Sequence, residues 1–98
     1  MVGERDDSIE VLSFDWDDFN VNHVARHDVS REDVEFVLTM APLFFRNLHG
    51  RSATHVMVGR DSLGRVLYVP IFCVEWPGVW RVISAWESRF ARRLLEGE

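Results

Sequence analysis

The groups that could do chemistry in this 98-residue chain are eleven cations, every one an arginine, and four histidines. His23 and His27 stand at i and i+4, so a helix would bring both rings to one face. Such a pair can share a metal ion, but no HExxH context and no third ligand accompany it. Two polar residues on a solvated helix stripe account for the spacing as well. Cys73 lies in the apolar run IFCV and reads as a buried small hydrophobe rather than a nucleophile. Gly59 and Gly64 read as strand and turn glycines, not as a phosphate cradle. No metal and no cofactor are expected.

What remains is an arginine-histidine set: Arg26, His27, Arg51, Arg60, Arg65, Arg81, Arg89 and the Arg92-Arg93 pair. Metal-free RNA cleavage needs this inventory. A base such as histidine takes the proton of a 2′-hydroxyl, guanidinium charge steadies the pentacoordinate phosphate, and an acid protonates the leaving oxygen. Arginine suits the phosphate because its planar fork binds two oxygens at once. The plain alternative is that an arginine-rich terminal helix is a solvated face.

Composition narrows the setting. At 98 residues with 47 % hydrophobic side chains, the chain reads as a single globular domain over residues 1–98. No window approaches the roughly 20 apolar residues of a membrane span, so no membrane association is expected. The start, MVGERDDSIE, is acidic, unlike a secretory signal. A lone cysteine excludes an internal disulfide framework and fits a reducing, cytoplasmic setting. The net charge is −5, and it is unevenly spread. Seven acids against Arg5 give −6 over residues 1–18, while ten arginines against nine acids give +1 over the rest. Residues 1–8 read as a flexible acidic lead-in. A near-neutral body weighs against an RNA enzyme without excluding one, since a local basic patch suffices.

The elements that must position these groups follow from periodicity. Residues 9–14 alternate as a short strand. Asp17 caps a helix to about residue 27, with Val21, Val24 and Ala25 inward and Asn22, His23, Arg26 and His27 on the polar side. Asp28 falls where a helix end takes a left-handed residue. Ser30 with Asp33 forms a capping box, Val29 and Val34 occupy the staple positions, and Val34, Val37, Leu38 and Ala41 repeat until Pro42 stops the second helix. Strands are expected at Leu43–Asn47, 54–60, 66–74 and 79–86, punctuated by Gly50, the Asp61 to Gly64 turn and Pro77-Gly78. Pro70 inside the third of these predicts a bulge or an edge. Residues 87–95 read as a helix with Phe90, Ala91, Leu94 and Leu95 inward. Short links imply antiparallel neighbours. The expected architecture is a two-layer α+β domain: a small antiparallel sheet with two N-terminal helices and a C-terminal helix.

The segments FDWDDFNVNHVARHDVSREDVEFVL, GRDSLGRVLYV and RVISA, the last just before a charged helix, resemble the BrnT-like toxin family. That family's recurring features are an F-x-W-D opening, a K/R-H-G-V-S segment entering a second helix, and a strand ending R-I-I-S-A-R. The resemblance runs from about residue 12 to 95. It implies a RelE-like fold, a bacterial type II toxin that cleaves RNA without metal, and neutralisation by a cognate antitoxin protein of the same operon. Carried over by position, Arg26 and His27 match the basic-His pair, Arg81 opens the RVISA strand and Ser84 is its serine. His27 is thereby implied as acid or base with Arg26 and Arg81 on phosphate, and Arg51, Arg60, Arg89, Arg93 and Ser84 as substrate-binding residues. The chain departs from the family pattern at Trp86 (for Arg), Arg92 (for Glu), Thr54 (for Arg) and Asp28 (for Gly).

Two functions therefore stand side by side. One is a ribonuclease toxin whose fragments end in 2′,3′-cyclic phosphate. The other is a BrnT-like domain without catalysis that survives as a protein-binding module, its contact surface made by Trp76, Trp80 and Trp86. Core filling is the plain alternative for those tryptophans. A homo-oligomer is compatible with either.

Overall fold

Apolar side chains on both sides of the longest strands dictate the architecture. In the computed structural model, which describes residues 2–48 and 52–97, the elements are β1 (Val2–Arg5), β2 (Ser13–Asp15), α1 (Asp18–Ala25), α2 (Arg31–Leu38), β3 (Leu43–Asn47), β4 (His55–Arg60), β5 (Val66–Glu75), β6 (Val79–Val82), β7 (Trp86–Glu87) and α3 (Arg89–Glu96). One sheet runs β1-β3-β4-β5-β6-β2, with β7 added to β5. The chain is α+β, but the sheet is mixed and seven-stranded rather than small and antiparallel, because β2 lies parallel to β6.

The layering also differs from expectation. Met57, Leu67, Val69 and Ile71 pack with Val24, Val34 and Val37 of α1 and α2. Their strand neighbours Val56, Val58, Val66 and Tyr68 pack with Ala91 of α3 on the opposite face. A strand that is apolar on both sides must be covered on both, so there are three layers and not two. The fully buried Val24, Val34 and Val37 each contribute about 1.5–3 kcal/mol of transfer free energy.

Both helix starts form as their capping residues require. Asp17 accepts from Asn20 N at 3.1 Å, and Asn20 Oδ1 accepts from Asp17 N at 2.9 Å. Ser30 and Asp33 make the same reciprocal pair at 3.0 and 2.8 Å, and the staple residues Val29 and Val34 are both buried. α1, however, buries Asn20 and Val24 and leaves Ala25 exposed. The buried face is rotated because Asn20 Nδ2 donates to Asp15 O at 2.9 Å and Val82 O at 3.0 Å, tying α1 to β2 and β6. A buried amide with its donors used costs little, whereas an apolar side chain there would strand two carbonyls.

Three further expectations are corrected. Residues 2–5, assigned to the lead-in, form edge strand β1 against β3. Of residues 9–14, only the end joins β2, while Ile9 and Val11 pack on the core without strand pairing. The strand expected at 79–86 is broken: β6 meets β5 from Ile71 to Glu75, β7 meets it at Leu67 and Tyr68, and residues 83–85 oppose only Val69 and Pro70. The irregularity thus lies across from Pro70, which is in the central strand and not at an edge. Its carbonyl accepts from Ile83 N at 3.0 Å just past the end of β6, so the missing N–H falls where the ladder has stopped. The punctuating Gly50 lies outside the described residues.

The segment between β1 and β2 crosses from one edge of the sheet to the other. Asp6 Oδ2 is 3.0 Å from His55 Nε2, whose ring packs edge-on against Trp80, and Trp80 Nε1 donates to Glu10 O at 2.8 Å. No helix among the described residues is long and apolar enough to cross a membrane.

Candidate functional site

His27 follows the C-terminal cap of α1, one residue before the turn at Asp28, where φ is 61°. A hub beneath fixes that turn. Arg65 donates to Asp28 O at 2.8 Å, to Asp33 Oδ2 at 3.2 Å and to Asp61 Oδ2 at 2.7 Å. Asp61 Oδ1 in turn accepts from Leu63 N and Arg65 N, both at 2.9 Å. The β4–β5 turn is thereby tied to the α1–α2 turn.

His27 is exposed and takes its place in a line of rings. Phe19 stacks on His23 at 6.3 Å, His23 meets His27 at 6.1 Å, and His27 meets Trp86 at 5.9 Å. The line continues from Trp86 to Tyr68 at 4.9 Å and from Tyr68 to Phe90 at 6.3 Å. Six rings thus run from α1 across β7 and β5 to α3. A groove of about 670 Å³ opens along this line, lined by His23, His27, Ser84, Trp86 and Glu87. Phe19, 75 % exposed, is the outer end of the ring line.

Of the sequence-derived set, His27 and Ser84 meet in this groove. Arg26 precedes His27 in the chain, is exposed, and its side chain has no hydrogen-bond or ion-pair partner among the described residues. Arg81 is not brought to them. Its guanidinium donates to Asp15 Oδ2 at 3.1 Å and to both oxygens of Asp17 at 3.0 and 3.1 Å, on the β2 side of β6. The Arg81 hydrogen bond holds the Asp17 carboxyl below the usual carboxylate range, and Asp17 raises the Arg81 guanidinium above its own ordinary value. Arg60 pairs with Glu96 at 3.0 Å, and Arg92 reaches the same carboxylate at 3.4 Å. Arg89 and Arg93 are exposed on α3, and Arg51 lies outside the described residues. Among the described residues, no three His, Cys, Asp or Glu side chains gather as a metal ion would need. Cys73 is half-buried against the core.

The tryptophans divide. Trp80 is core, Trp76 is 74 % exposed at the β5–β6 turn, and Trp86 belongs to the ring line. Tyr68 and Phe90 are members of that line that spacing alone does not single out. Their signal was the departure at Trp86, which sets an aromatic ring where a cation was expected. Comparison with family models, with curated proteins and with solved structures finds no match.

Proposed function

We propose that the chain is a BrnT-like domain of RelE-like fold, toxin-type in lineage, that works by binding a cognate protein partner rather than by cleaving RNA. The observation that carries this reading is the separation of Arg81 from His27. A phosphate-cleaving site needs its cation and its acid or base on the same group. Here the cation is spent on Asp15 and Asp17, while His27 stands in an aromatic line. Exposed aromatic rings along a groove are the material of protein-binding hot spots, because they bury large area at low entropy cost. The departures at Trp86, Arg92 and Thr54 act in the same direction, each replacing charge that the resemblance expects in a cleavage site.

The ribonuclease reading is favoured by a different observation. His27 is exposed, lies against Trp86 in a groove shared with Ser84, and is preceded in the chain by Arg26, whose side chain has no partner among the described residues. The two are separated by incubating purified, partner-free protein with a long RNA in EDTA, beside His27→Ala. Binding as the sole function predicts intact RNA in both samples. It also predicts that the product of the adjacent reading frame co-purifies with the parent chain and is lost from Phe19→Ala and Trp86→Ala. Fragments ending in 2′,3′-cyclic phosphate, absent with His27→Ala, would overturn it in favour of the toxin nuclease.

A further inference from the structure

The α3 side of the sheet is only half covered. Residues paired across strands share a side of the sheet. Val66 and Tyr68 of β5 lie under α3, with Val56 and Val58 of β4. The same side continues along β5 to Phe72, then across to Arg81 and Val79 on β6 and to Asp15 and Ser13 on β2. These alternate with the buried Ile71, Trp80, Val82 and Phe14, which pack towards α1 and α2. α3 has eight residues and is about 12 Å long. β5 has ten and spans about 33 Å, so α3 cannot cover both of its ends.

The open end is apolar. Phe72 is half-buried, Val74 is 43 % exposed, and Trp76 in the turn beyond is 74 % exposed. Single exposed apolar side chains are ordinary, but a run of them is the mark of a contact surface. Its rim is acidic: Asp15 and Asp17 share Arg81, while Glu75, opposite Val79, is exposed and has no partner among the described residues. The outer face of α3 has the opposite sign. Arg89 and Arg93, at i and i+4, are exposed and likewise without partners among the described residues, with Phe90 beside them. The one acid of α3, Glu96, is already taken by Arg60 and Arg92.

We propose that a second copy of this chain covers the open end, each copy laying the Arg89, Phe90 and Arg93 face of its α3 on Phe72, Val74 and Trp76 of the other. The charges select this occupant, because the basic helix and the acid-rimmed floor are complementary parts of one surface. A two-fold axis across the middle of β5 exchanges the covered end of one copy with the open end of the other. Both open ends are then filled at once, and the contact closes as a dimer. Guanidinium planes stack on an indole face and fork to carboxylates, which is why Arg and Trp recur at the centres of protein contacts. Of the ring line this contact uses Phe90 alone, so it stands apart from the partner-binding reading.

The test is sedimentation equilibrium of the purified full chain from about 1 to about 200 µM, where a contact of modest size is read directly. The parent is expected to dimerise in that range, and less tightly at high salt. One variant carries Arg89→Glu with Arg93→Glu, and another carries Ser13→Arg with Glu75→Arg. Each weakens self-association at least ~10-fold by setting like charges across the contact. Mixed in equal amounts, the two restore a dimer, since each α3 then meets a rim of opposite sign. That restoration also shows both variants to be folded. Trp76→Ala weakens the dimer ~10-fold or more, whereas Phe19→Ala, at the far end of the ring line, leaves it unchanged. Any of four results overturns the proposal: a parent still monomeric at ~200 µM, a dimer indifferent to both charge reversals, a mixture no more associated than its components, or a dimer lost in Phe19→Ala.

Discussion

Replacing Asp61 by Ala should remove a large part of the stability of the domain. The Asp61 side chain has no solvent exposure, and Arg65 is 17 % exposed. The substitution strands two backbone N–H groups, those of Leu63 and Arg65, and the Nε donor of Arg65. Each unsatisfied buried donor costs roughly 1–3 kcal/mol, and breaking a buried charge pair from one side costs about 3–5 kcal/mol in all. Domains of this size have about 5–15 kcal/mol to lose. With a urea slope near ~1.5 kcal/mol/M, the unfolding midpoint should fall by about 2–3 M. Arg65→Met, which keeps the stem but leaves the carboxylate uncompensated, should cost a similar amount, and the double substitution clearly less than the two together. Because Arg65 also holds Asp28 O, amide exchange across residues 26–29 should quicken in both single variants. A midpoint shift under ~0.5 M for Asp61→Ala would refute the reasoning, since that is the scale of a solvated surface pair.

Two more outcomes follow from the same geometry. A Cβ at Gly59 would lie 2.6 Å from Val37 Cγ1 and 3.2 Å from Pro42 Cβ. Gly59→Ala should therefore push α2 off β4 and cost about 1–3 kcal/mol, read as a lowered midpoint in the same urea assay. Asp6 is held well below its ordinary value of 3.8, first by the Ser8 hydroxyl and then by His55. A depressed carboxyl stabilises the fold above that ordinary value, and the stabilisation is lost as pH falls toward the folded one. The stability gap between the parent and Asp6→Asn, taken from urea midpoints, should be full near pH ~6 and should shrink below pH ~4. A gap that is constant or widens on acidification would contradict the assignment.

Local signals carried the reading of this chain far, and non-local ones escaped it. The N-cap at Asp17, the capping box at Ser30, the αL turn at Asp28 and strand β3 are written in adjacent residues, and each forms as its local chemistry demands. The second layer of cover was also written, in HVMVG and VLYVPIFCV, whose unbroken apolar runs mean burial on both faces. A reading of those runs by alternation alone assigns one face and misses the place of α3. Asn20 looked like any polar helix residue, because its two carbonyl partners are distant or belong to a strand end. The parallel pairing of β2 with β6 has no local mark at all. At the candidate site, His27 and Ser84 come to line one groove, but the capture of Arg81 by Asp15 and Asp17 could not be seen. It depends on β2 lying beside β6, which brings Asp15 level with Arg81.

Residues 2–15 supply both outer strands of the sheet, β1 at one margin and β2 at the other. This arrangement sets the order in which the molecule can be assembled during synthesis. β1 waits for β3, and β2 waits longer, since Ser13 meets Val79 and Phe14 meets Trp80. Contacts so distant along the chain form late, after the loop-closing entropy has been met by nearer pairings such as β4 with β5. Until then the nascent chain carries two bare sheet margins, on β3 and on β6, open to any extended peptide nearby. A cell making this protein thus meets the bare margins of β3 and β6 on the ribosome, and one crossing segment covers both when it docks, leaving the short strands β1 and β2 as the edges.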